Sequence, residues 1–99
     1  MPDKSWKAAE RHIAAMLGGK RAGALGKRGP DVVGDIRWAP EVKERKRLPA
    51  LVQNAMVQAE LNCPFGKTPI VVLHELGERY EEAVVCIRLH DFMAVPGQK

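Results

Sequence analysis

The sequence predicts a small α/β protein with its elements in the order α-β-β-α-β-β. Two stretches, 5–17 and 49–62, place apolar residues three and four apart, which is helical spacing. Short apolar runs at 31–33, 36–43, 70–73 and 83–89 are flanked by glycine, proline or charge, as strands are. A helix between the second and third strands requires a crossover connection, so a mixed sheet flanked by helices is expected. Ninety-nine residues without internal repeats suit a single domain over 1–99.

The first helix runs from Ser5, as its cap, to Leu17, with Trp6, Ala9, Ile13 and Met16 in one stripe and Glu10 and His12 beside it. Gly18-Gly19 stops it. Residues 18–30 hold five glycines, four cations and Pro30, the composition of a mobile basic loop. Asp31 to Val33 and Ile36 to Lys43 read as a hairpin about a Gly34-Asp35 turn. Pro40 cannot donate to a ladder, so it belongs at an edge or bulge. Pro49 suits the first turn of the second helix, whose buried stripe is Val52, Ala55, Met56 and Ala59. The runs 70–73 and 83–89 are apolar enough for strands covered on both faces. Gly77 marks the turn between them, Phe92 and Val95 close the core, and 96–99 form a frayed tail.

Charge is unevenly distributed. The chain carries +4 overall, yet residues 20–47 hold nine cations against four acids, while 48–99 hold four against six. A basic segment on a mildly acidic body suits a polyanion such as nucleic acid, the rival explanation being a solvated charged face. The five aromatics are scattered, which excludes a stacking ladder for single strands. No apolar run approaches the roughly 20 residues of a membrane span, and no apolar signal core follows the N-terminus. Cys63 and Cys86 match no metal or redox spacing and read as buried thiols of an intracellular, cytoplasmic protein.

Asp31 and Glu41 are acidic residues inside that most basic stretch. Strand alternation projects Glu41 and Lys43 to the same side, and a hairpin brings Asp31 near them. Two carboxylates beside a lysine in a positive field suit metal-assisted phosphodiester hydrolysis. Hard oxygens bind Mg²⁺, with Mn²⁺ as an alternative, the ion activates water, and the ammonium stabilises charge on the phosphate. Asp35 competes with Asp31, although a Gly-Asp turn explains it on backbone grounds. The bland alternative makes Asp31 a turn residue and Glu41–Lys43 a surface pair.

Pro30-Asp31 followed ten residues on by Glu41-Val42-Lys43 resembles the motif of the PD-(D/E)xK nuclease superfamily. Glu10 in "AAERHIA", the loop "GKRGPDVV" and "QAE" at 58–60 extend the similarity to archaeal- and phage-type Holliday junction resolvases over most of residues 4–73. Pro40 stands where that pattern usually has an aliphatic strand residue. The resemblance implies a restriction-endonuclease-like fold and a Mg²⁺-dependent homodimer that cuts four-way DNA junctions. Asp31, Glu41 and the Val42 carbonyl would be metal ligands, and Lys43 would act on the water or the transition state. Glu10 would reach the site from the first helix, with Gln58 as support. Lys20, Arg21, Lys27, Arg28, Arg45, Lys46 and Arg47 are the cations expected to hold branched double-stranded DNA. His74, at a strand end, is a further candidate to line the site. "GPDVVGD" with "EVK" is also similar to VRR-NUC-type nucleases of flapped DNA, and a non-catalytic basic DNA-binding module is the alternative outside enzymes.

Overall fold

The computed structural model describes residues 5–23 and 29–97 and divides into two compact units, 1–46 with 97–99, and 47–96. It is a small α/β protein with helices and two separate two-stranded antiparallel sheets.

In the first unit, α1 spans Ser5–Leu17, as its apolar spacing predicts. Gly18, at φ 81°, ends it, and the Gly19 amide donates to the Ala14 carbonyl at 2.9 Å. A left-handed glycine after the last turn supplies donors to the helix's orphan carbonyls. The buried line of α1 is Glu10 and Ala14, flanked by half-buried Ala9, Ile13 and Leu17. Trp6 and Met16 are instead 41% and 49% exposed. Glu10 therefore lies within the buried stripe rather than beside it.

The chain reverses at Gly18-Gly19 straight into β1, Lys20–Arg21, which pairs with β2, Val32–Val33. Lys20 faces Val33 and Arg21 faces Val32, and the Ala22 amide extends the pairing to the Asp31 carbonyl at 2.9 Å. This corrects the expected hairpin: β2 pairs with residues from the presumed loop, and 36–43 form no strand. Two ladder donors are missing there. Pro40 has no N–H, and the Ile36 amide donates to the Gly34 carbonyl at 2.9 Å. The rest of the expected loop, 24–28, lies outside the described residues. Helix α1 packs on both strands, and Val32 is wholly buried beneath it.

In the second unit, α2 spans Ala50–Leu61, with Pro49 at its N-cap position and Asn62 at its C-cap. Val52, Ala55, Met56 and Ala59 are its buried or half-buried residues, as expected. Helix α2 packs on β3, Val71–Leu73, which pairs with β4, Val84–Cys86. These strands are shorter than predicted and not covered on both faces: Val72 and Val85, paired across the ladder, are 58% and 55% exposed. A two-stranded sheet with one packed helix has only one covered face, whereas double coverage needs helices on both sides. After β4, residues Leu89–Ala94 form α3 rather than continuing the strand. Phe92 and Val95 are half-buried, and Pro96 and Gly97 form a turn. Cys63 and Cys86 are unpaired and half-buried. The expected crossover and mixed sheet are thus replaced by two local hairpins.

Val32→Ala should lower stability by about 2 kcal/mol, from two lost methyls and the cavity they leave. Gly19→Ala should cost at least as much, because a Cβ there would stand 2.6 Å from the Val33 carbonyl and 2.8 Å from Val32 Cγ1. Urea unfolding checks both, and parent-like midpoints would contradict this packing of α1 over the hairpin.

Candidate metal and nucleic-acid site

Asp31 stands just before β2 and is held from three directions. Its carbonyl accepts from Ala22, its amide donates to the Pro40 carbonyl at 2.8 Å, and its Oδ2 accepts from the Val42 amide at 2.7 Å. The last two bonds grip both neighbours of Glu41. The "PD" and "EVK" segments are therefore joined, although by an irregular chain rather than a second strand. Pro40 keeps the one group it can contribute, its carbonyl, and uses it on Asp31.

Glu41 and Lys43 project to the same side, as expected for positions two apart on an extended chain. Lys43 Nζ lies 3.2 Å from Glu41 Oε1, with the side chains 78% and 59% exposed respectively. Such an exposed pair is worth little to stability and exchanges readily with water or ligands.

The donor chemistry of this segment fits a hard cation. Asp31, Glu41 and the Val42 carbonyl offer oxygen only, and Mg²⁺ commonly takes one or two carboxylates and completes its shell with water and substrate phosphate. A carboxylate oxygen carries two lone pairs, so the Val42 amide fixes Asp31 without exhausting it. Among the described residues, no group of three His, Cys, Asp or Glu side chains gathers as a metal cluster. Glu10 in particular is turned elsewhere: its Oε2 lies 3.3 Å from Arg21 Nε, and it is only 7% exposed.

The basic residues divide into separate groups. Lys20, Arg45, Lys46 and Arg47 are exposed. Arg21 is half-buried on Glu10, with its guanidinium 5.5 Å from the Trp6 ring. Lys27 and Arg28 lie outside the described residues. Arg37, absent from the expected set, donates to the Gly97 carbonyl at 2.6 Å and lies over the Trp38 ring. Asp35 is exposed in the bend after β2.

Gln58 and His74 belong to the second unit. Gln58 is exposed on α2, and His74 stacks on Tyr80 and bonds the Glu78 carbonyl through Nε2 at 2.8 Å. An open cavity in that unit is lined by Leu51, Leu73, Val84 and His74 and by three glutamates, Glu75, Glu78 and Glu82, against one cation, Arg79, a net negative lining that does not suit a polyanion. The arrangement that sequence reasoning missed is the Glu10–Arg21 pair. Its available signal was the four-residue step from Glu10 to Ala14, which puts both on one helix line.

No family model matches the chain, and no curated protein or solved structure matches it significantly.

Proposed function

We propose that the chain is a Mg²⁺-dependent, structure-selective DNA endonuclease that resolves four-way junctions. The observation that carries this reading is the double tether of Asp31 to Pro40 and Val42, which joins two acidic segments inside the most basic part of the chain. In this reading Asp31, Glu41 and the Val42 carbonyl hold the cation on a small α/β scaffold. The bound ion supplies an activated water and a polarised phosphate oxygen. Lys43, held beside Glu41, presents an ammonium to the phosphate where negative charge develops. Lys20 and the 45–47 cations hold the duplex arms through their phosphates. The protein works as a homodimer, since paired cuts across a two-fold junction call for two symmetry-related sites. Its unpaired cysteines suit the reducing cytoplasm of a prokaryotic or phage-infected cell.

A second reading is a non-catalytic DNA-binding module, favoured by the pairing of Glu10 with Arg21. Incubating an immobile four-way junction, a flap and a linear duplex with the protein, with and without Mg²⁺, separates the readings. Mg²⁺-dependent nicking of the junction is expected, a preference for the flap would shift the substrate, and binding without cleavage would leave the module.

Asp31→Asn and Glu41→Gln should each abolish nicking while junction binding survives in a gel-shift assay. The amide side chain introduced by Asp31→Asn retains an acceptor for the Val42 N–H, so the loss would report the missing charge rather than a loosened segment. Parent-like nicking by the double variant would sink the site.

Binding should weaken with salt at a log–log slope of about 0.9 per phosphate neutralised. Replacing Arg45, Lys46 and Arg47 with alanine should flatten the slope measured by anisotropy, and an unchanged slope would remove this segment from the interface.

Sedimentation at micromolar concentration should report twice the 11.0 kDa of one chain. A strict monomer would favour the flap-nuclease or module readings.

A further inference from the structure

Glu10 is the one buried charged side chain among the described residues. Its partner Arg21 reaches it because the ladder sets Arg21 opposite buried Val32, on the face that α1 covers. The contact runs through the guanidinium Nε at 3.3 Å, with the Arg21 side chain 19% exposed. The four N–H bonds on the two Nη atoms are not part of it. The Trp6 ring, 5.5 Å from Arg21 Cζ, adds a second contact.

A buried ion pair contributes little net stability, because desolvation offsets most of the attraction. What it does contribute is position. An arginine held through Nε by a carboxylate, and bordered by an indole, has little rotamer freedom left to lose on binding. Its planar fork suits a phosphate, which takes two parallel N–H bonds. Along the ladder, the next pair after Arg21–Val32 is Ala22–Asp31, so Arg21 and Asp31 sit on adjacent rungs with their side chains on opposite faces.

We propose that Glu10 is a positioning residue that acts through Arg21: it fixes the guanidinium so that its outer edge receives a DNA backbone phosphate. This rests on the nuclease reading only in taking DNA as the ligand. It requires no metal contact from Glu10 and assigns the carboxylate a different task from the one the family resemblance implies.

The test is DNA binding without divalent metal. A fluorescein-labelled four-way junction is titrated in EDTA with the parent protein and with Glu10→Gln, Arg21→Ala and the double variant. Removing a negative charge from a basic surface should by itself tighten binding. Glu10→Gln is expected to weaken it instead, by about tenfold, the scale of one charge-assisted contact. Arg21→Ala should weaken it similarly and lower the salt slope by about 0.9. The double variant should bind no worse than Arg21→Ala alone, since Glu10 has then nothing to position. Should Glu10→Gln fail to fold, as thermal unfolding would reveal, Arg21→Lys serves: it keeps the charge but loses the fork, and should still bind more weakly. Parent-like or tighter binding by folded Glu10→Gln, or parent-like binding by Arg21→Lys, overturns the inference and leaves the nuclease reading standing. Failure of the parent itself to bind DNA overturns both.

Discussion

The first unit depends on the burial of Val32. It has no exposed surface, lies in a two-residue strand, and is covered by α1. So short a ladder has too few hydrogen bonds to persist alone, and a lone hairpin is marginal in water. The helix supplies the missing apolar cover. In return the strand sets the register, and the register sets the chemistry: Arg21 opposite Val32 turns toward Glu10, and Asp31 opposite Ala22 turns its own amide and carboxylate to Pro40 and Val42. Gly19 makes the approach feasible, because any larger residue there would meet the Val33 carbonyl.

Three acidic residues of the first unit are of two kinds. Asp31 and Glu10 are held by donors of the protein itself, a backbone amide and a guanidinium. Glu41 is paired with Lys43 at the surface and stays largely hydrated. A carboxylate satisfied by a fixed donor is a rigid element, whereas one in an exposed ion pair can rearrange around an incoming cation or phosphate at little cost. Asp31 anchors the segment, and Glu41 is the adaptable member.

The second unit has a different character. Met56 is its one buried apolar side chain, while Leu51, Leu61, Phe65, Leu76 and Tyr80 are all more than 60% exposed. Polar contacts organise it instead. Arg88 forks onto both Glu60 oxygens at 3.3 Å, linking α2 to the chain just past β4. His74 ties the β3–β4 connection through Tyr80 and Glu78. Its acidic residues outnumber its cations, the opposite balance to the segment that carries Asp31.

The helices were legible in the sequence because their determinants are local. Apolar spacing with Gly18-Gly19 predicts α1 from Ser5 to Leu17, and Pro49 with the Val52–Ala59 stripe predicts α2 to within a residue. The pairing of Asp31 with the "EVK" segment was legible as proximity, since ten residues about a turn leave little choice. Strand partners were not legible. Whether Val32 pairs with residue 21 or with a residue after Gly34 depends on which backbone has free donors and which side α1 covers, and neither is written in the spacing of apolar residues. The place of Glu10 was hidden for the same reason: periodicity marks it as polar beside a stripe, and only the helix packed on β1 shows a guanidinium waiting there. Sequence alone determined which segments are helical and where opposite charges concentrate. Tertiary structure decided which charges meet, because that choice is made by burial and by competition for backbone hydrogen bonds across the chain.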